Sequence, residues 1–364
     1  MNILIDIGHP AHVHYYRNLA KELEKKNHKV YWTVKDIPVA KKLLEYYGFT
    51  YYVLPKKSDT LLGKIFKQVL YDTIILFICI SKRINLAIGT SVSVVNISRI
   101  TKIKSIVFDD DDDDVQPIIT KYVNPYADTL LSPEALKGKR ARRDTIFYPG
   151  YHELAYLHPA RFTPDPGVLE GMGIKKDEPF FIMRFNSFKA HHDIGVQGLS
   201  LSQKKILINL LSQYGKIFIT TEREIEKELQ PYQLQISPEK IHSLMAYSTM
   251  FLSDSQTMTS EAAMLGVPAL RCNSFAGRIS CLQEQEEKYG LTFAFQTEEF
   301  NKMIKKIMEL LNMPDLKQEW HKRRDIMLQE KIDVTAFWLW FIENYPSSVE
   351  IMNNNNDYPL RFRF

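Results

Sequence analysis

Three histidines within six residues, His9, His12 and His14, follow the short apolar run 2–7, NILIDI. An imidazole titrates near neutrality, so His9 or His12 could take a proton from a hydroxyl or hold a phosphate or carboxylate. The spacing could also hold a metal, but no metal is expected there. His14 already lies inside a helical pattern and is the least suited to a site. A second set is the six consecutive aspartates Asp109–Asp114, which follow KSIVF at 104–108. Only Asp109 and Asp110 can lie close to a strand end, where neighbouring anions would raise the pKa of one as a general base. The remaining aspartates read as a solvated acidic loop.

The segment MRFNSFKAHHD (183–193) supplies Arg184, Ser187 and Lys189, cations and a hydroxyl suited to a diphosphate. Thr220, Thr221 and Glu222 end another apolar run, and His242 opens a helical segment, where capping is an equally good role. The richest stretch is SDSQTMTSEAAMLGVPALR at 253–271. Ser255, Gln256, Thr257 and Thr259 place side-chain donors and backbone N–H groups at a helix start, a ready anion site. Glu261, one turn further in, could accept from two neighbouring hydroxyls, as on a ribose; alone, it would read as part of a capped helix.

These residues need strands and helices to hold them. Apolar runs at 2–7, 29–34, 49–54, 84–89, 104–108 and 128–131 alternate with segments long enough for helices. The series resumes at 180–185, 216–221, 250–254, 267–271 and 291–295, with helical patterns over 202–213, 238–247, 256–265 and 297–311. Such alternation predicts an α/β chain of two doubly wound domains with parallel sheets. Ligands of these folds sit beyond the carboxyl ends of the strands, which points to the cleft between the domains. The expected boundaries are 1–148 for an acceptor domain, 149–179 for a proline-rich hinge, 180–330 for a nucleotide-sugar domain, 331–352 for a C-terminal helix packed across both, and 353–364 for a mobile tail. In the hinge, Tyr151, His152 and Glu153 could meet a ligand, with aromatic packing the safer reading.

Residues 1–150 carry 23 Lys and Arg against 16 Asp and Glu, while the whole chain nets only +4. The basic half therefore suits an anionic partner. A nucleic-acid backbone is disfavoured, because basic and aromatic residues are not interleaved and the aspartate run would repel it. Three cysteines cannot build a disulfide framework and suit a reducing cytoplasm. The stretch 61–83 is apolar between Lys64, Lys67, Lys82 and Arg83, and reads as a core helix or as an element lying on an anionic membrane.

The pattern S-D-S-x5-E-A-x2-L-G-x-P-x-L resembles the nucleotide-diphosphate-sugar motif of GT-B proteins, a group that includes UDP-N-acetylglucosamine 2-epimerases and the glycosyltransferase that makes lipid II. MNILIDIGHPAHVHYYRNL, YPGYHELAYLHPARFTPDP, MRFNSFKAHHDIG and DSQTMTSEAAMLGVPALRCNSFAGRISCLQEQEEKYGL resemble the domain of unknown function 354 family, regarded as GT-B-like. The resemblance implies GT-B architecture, a nucleotide sugar, foremost a UDP-sugar, and no required cofactor. It places the ribose on Glu261 and the phosphates on Ser255 to Thr257. It implies a cytoplasmic glycosyltransferase of polysaccharide or glycolipid assembly, acting on a glycan or lipid-linked acceptor, with peripheral membrane association. A sugar-nucleotide 2-epimerase or hydrolase is the alternative. Two departures matter: Gln256-Thr257 stand where the related enzymes have a glycine pair, and Met183 and Phe108-Asp109-Asp110 stand where the epimerases have histidines.

Overall fold

The protein is described from a computed structural model covering residues 1–56, 58, 60–175, 177–185, 198–221 and 225–363. It divides into two compact units, 1–161 with 331–364, and 162–330.

The first unit carries seven strands: β1 (Asn2–Ile7), β2 (Lys29–Lys35), β3 (Tyr51–Leu54), β4 (Leu86–Ile88), β5 (Lys104–Phe108), β6 (Thr129–Pro133) and β7 (Ile146–Tyr148). They form one sheet in the order β3-β2-β1-β4-β5-β6-β7, and every neighbouring pair is parallel. Strands covered on both faces read as unbroken apolar runs, and β1 is buried from Ile3 to Ile7. The strand order reverses between β1 and β4, where doubly wound sheets bind ligands. Gly89, just past β4, has φ +137, and a Cβ there would lie 2.7 Å from the Asp6 carbonyl oxygen. Only glycine permits that backbone and that approach.

The second unit carries β8 (Phe180–Arg184), β9 (Lys216–Thr220), β10 (Met250–Ser253), β11 (Ala269–Cys272) and β12 (Thr292–Phe295), in the order β12-β11-β10-β8-β9. All its pairs are parallel, and the order reverses between β8 and β10. The helix Thr257–Met264 ends in a Schellman turn. Gly266, at φ +72, donates to the Ala263 carbonyl and Val267 to that of Ala262.

Two features differ from the sequence reading. The expected C-terminal helix is two, Val334–Glu343 and Ser347–Asn354, and both belong to the first unit. Trp338 packs there against Phe108 at 4.5 Å and Tyr16 at 5.9 Å between ring centroids. The tail, expected to be mobile, is ordered: Tyr358 stacks on Trp340 at 4.3 Å and the Asp333 N–H donates to the Phe362 carbonyl at 2.9 Å. Its aromatic rings have area to bury, which the asparagine run before them concealed.

Candidate functional site

In the first unit the site is built at the reversal between β1 and β4. Asp6, the penultimate residue of β1, is buried and accepts hydrogen bonds from the hydroxyls of Thr33 (2.7 Å) and Ser91. It thereby joins β1, β2 and the turn after β4. The next residues start the helix Pro10–Lys25. His9 is its N-cap, its Nδ1 accepting from the Ala11 N–H at 3.2 Å, with Pro10 in the first turn. His12, one turn on, stacks on Tyr15 at 5.8 Å, and its Nδ1 accepts from the Gly8 N–H at 3.4 Å. Loss of water, then the charges of His9, His152 and Lys35, push the His12 imidazole down to about 3, against an upward pull from Asp110. His12 is therefore neutral at physiological pH. His14 stacks on Tyr156 at 5.3 Å and is buried in the packing.

The aspartates after β5 are each differently used. Asp109 is buried and committed: its Oδ2 accepts from Asn124 Nδ2 (2.7 Å) and lies 3.0 Å from Arg140 Nη1. Asp113 holds the same guanidinium at 2.7 Å and accepts from the Ala141 N–H. Asp112 is buried, Asp111 and Asp113 are half-buried and Asp114 is exposed, so only the end of the run is the solvated loop that its composition suggests. Asp110 instead meets His152, with Oδ2 3.3 Å from Nδ1. Burial opposes the Asp110 charge, but the attraction and hydrogen bond of His152 outweigh it and hold the carboxyl below its ordinary range. Asp111 moves the other way, raised by burial and by the charges of Asp110 and Asp109. Adjacent carboxyls split in this way could serve as a base beside an acid. Asp109, Asp110 and Asp111 each bring an oxygen within 4.8 Å of the others, a spacing a divalent cation could bridge. Arg140 already supplies a positive charge to one of the three.

His152 is the residue that the sequence reading undervalued. It sits in a ring of aromatics, Tyr15 at 5.0 Å and Trp338 at 5.2 Å, which fix the imidazole toward Asp110. Its pairing spans 42 residues of chain, and the only sequence signal was its place in the segment PGYHELAYLHP.

In the second unit the turn after β10 is shaped by hydroxyls. Ser253 Oγ accepts from the Ser255 N–H (3.1 Å) and lies 2.9 Å from Thr259 Oγ1, which donates to the Ser255 carbonyl at 2.6 Å. Thr259, expected among the ligand-binding residues, thus spends its hydroxyl on the turn. The helix Thr257–Met264 starts there with Gln256 as N-cap and no side-chain cap bond, so its first N–H groups point out of the helix end. Glu261, one turn in, is buried, and its Oε1 lies 3.0 Å from Nε2 of His242, itself buried at the start of the helix Ile241–Tyr247. Arg184, closing β8, donates to Thr220 Oγ1 at 3.3 Å. Thr221 follows on the same strand end. Ser187, Lys189 and Glu222 lie outside the described residues.

A further cation escaped the sequence reading. Arg271 is register partner to Ser253 across β10 and β11. It is buried, its Nε and Nη1 have no hydrogen-bond partner among the described residues, and burial pushes it down to about 10. Its only sequence signal was an arginine closing the apolar run VPALR.

An uncharacterized protein of Methanocaldococcus jannaschii is 24% identical over 290 residues, covering 75% of this chain and 82% of that relative. Among solved structures, the UDP-GlcNAc 2-epimerase of Methanocaldococcus jannaschii, in complex with UDP-GlcNAc and UDP, matches with a TM-score of 0.63 at 14% identity, over 90% of this chain and 99% of that one. A glycosyltransferase of Streptomyces sp. SF2575 matches with a TM-score of 0.58 at 10% identity, over 94% and 100%. These TM-scores show the shared GT-B fold, and at such identities the fold alone. The family profile described as "Protein of unknown function (DUF354)" matches residues 1–318, and the chain belongs to that family.

Proposed function

We propose that this DUF354 chain is a glycosyltransferase that moves a sugar from a nucleoside diphosphate donor to a hydroxyl of a glycan or lipid-linked acceptor, in cell-surface polysaccharide or glycolipid assembly in the cytoplasm. The observation that carries the reading is the buried pair Glu261–His242 beside the hydroxyl-lined start of the helix Thr257–Met264. Glu261 takes the ribose hydroxyls, with His242 holding its carboxylate in place. The N–H groups of the first helical turn, with Ser255, Gln256, Thr257 and Arg184, take the diphosphate and the charge that grows on it as it leaves. The related solved epimerase is bound to UDP-GlcNAc and UDP, which supports a UDP-sugar donor.

In the first unit Asp110, held ionised by His152, is the base. It accepts the acceptor hydroxyl proton while the acceptor oxygen bonds to the sugar C1, and the C1–O bond to the diphosphate breaks with its electron pair on the leaving nucleotide. Neutral His12, whose Nδ1 is taken by the Gly8 N–H, donates from Nε2 to an oxygen of the acceptor, and Asp109 is a positioning residue through Arg140.

A second reading, sugar-nucleotide 2-epimerisation, is favoured by one observation. Asp110 and Asp111 are pushed in opposite directions, which offers one group to remove a proton and one to return it. The two readings separate on incubation with UDP-GlcNAc, followed by NMR of the sugar. Transfer needs an acceptor and releases UDP stoichiometrically with glycoside. Epimerised sugar formed without acceptor would replace the transferase reading with the second.

A further inference from the structure

The helix Leu61–Ser81 has two unlike apolar faces. One packs on the sheet: Tyr71, Ile75, Ile78 and Cys79 join Leu4, Ala87 and Val94 in a buried cluster. The other carries Leu62, Ile65, Phe66, Val69, Phe77 and Ile80, each between 58% and 81% exposed. Their steps of three, one, three, eight and three residues keep them within one side of the helix, a stripe about 27 Å long at 1.5 Å per residue. Thr73, between Val69 and Phe77, donates its hydroxyl to the Val69 carbonyl at 2.8 Å, so it adds little polar demand to the stripe. An exposed apolar strip of this size on a folded unit marks a contact surface.

The charges that flank it are mostly cationic, with Asp59, two residues before the helix, the exception in the sequence. Lys64 and Lys67 lie toward one end and Lys82 and Arg83 at the other. The only acid of the helix, Asp72, accepts from Gln68 (2.7 Å) and from Asn96 of the neighbouring helix Val92–Ile100 (2.8 Å). A second copy docked by a two-fold axis, with the helices antiparallel, would set Lys64 and Lys67 against Lys82 and Arg83 of the other molecule. Anionic headgroups instead complement the cationic excess at both ends while acyl chains take the side chains between them. Because the inner face is bound to the sheet, the helix cannot insert across a bilayer, and no described helix is long and apolar enough to do so.

We propose that this face docks the protein on an anionic lipid bilayer, with the helix Leu61–Ser81 lying in the headgroup boundary. The proposal rests on the first unit alone and is independent of the nucleotide-sugar reading. The test is co-sedimentation of the full chain with vesicles of phosphatidylcholine, with or without phosphatidylglycerol. Two variants accompany it, Phe66→Ser with Phe77→Ser, and Lys64→Glu with Lys67→Glu, each with its thermal midpoint measured to show that exposed substitutions leave the fold intact. The wild-type chain binds phosphatidylglycerol vesicles, binding weakens with salt, and each double variant loses partitioning by about tenfold or more. Absence of vesicle binding, or binding unchanged in both variants, would overturn it. So would a dimer, seen by light scattering, that Phe66→Ser with Phe77→Ser dissolves while no vesicle is bound, since the face would then join two copies.

Discussion

Nε2 of His242 lies 3.0 Å from Oε1 of Glu261, and both side chains are buried. A buried carboxylate is tolerated only with such a partner, and the pairing fixes the Glu261 carboxylate within the first turns of its helix. Glu261→Gln and His242→Ala should each weaken nucleoside diphosphate binding by about tenfold or more, the worth of a hydrogen bond to a charged group. The double variant should lose less than the sum, because the two residues act as one unit. Titration calorimetry of the four proteins checks this.

Asp110 and His152 should govern turnover rather than donor binding. Asp110→Asn is expected to lower the transfer rate by about a hundredfold or more, the usual share of a general base, with UDP affinity unchanged. Burial disfavours the Asp110 charge, yet His152 holds its pKa depressed in the folded chain. The stability this contributes is present above the unfolded carboxylate value and is lost as pH falls through the folded one. Urea unfolding across that acid range should therefore show the gap between wild-type and Asp110→Asn closing as pH drops.

For His12 the sign is set by an imidazole rather than a carboxyl. Its folded value is depressed from 6.5 to about 3, so the unfolded chain binds more protons between those values. Stability should fall as pH drops through that window, and His12→Asn should flatten the slope. An NMR titration in which His12 gains its proton near 6.5 would contradict the assignment.

Arg140 tests the structural half of the aspartate run. It lies 3.0 Å from Asp109 and 2.7 Å from Asp113, and it also donates to the Asp109 carbonyl. Arg140→Met leaves buried carboxylates uncompensated and should cost about 3–5 kcal/mol by chemical denaturation. A cost under 1 kcal/mol would mean that the aspartates are hydrated after all.

Much of the fold was legible because strands of parallel sheets are plain apolar runs. NILIDI and KSIVF coincide with β1 and β5 residue for residue, and most of the others are trimmed by one or two. The three-residue β7 escaped because its apolar run ends at Pro149-Gly150, whereas the equally short β4 lies within the longer run 84–89. The second-unit site was partly legible, since Ser255, Thr257 and Glu261 are close in sequence. In the first unit Asp110 and His12 could be singled out, but the pairing of Asp110 could not, because Asp110, His152 and Trp338 meet only when distant segments pack. The helix Leu61–Ser81 misled for another reason. Being apolar nearly all round, it read foremost as core, and only the folded chain separates its buried face from its exposed one.

The central claim is that the second unit holds a nucleoside diphosphate on Glu261 and the turn before it. Calorimetric titration of the intact chain with UDP, beside the Glu261→Gln variant of equal thermal stability, tests it most directly. The account predicts one site per chain, weakened about tenfold or more by the substitution. Binding of equal strength in both proteins, or no heat from UDP or any other nucleoside diphosphate, would contradict it.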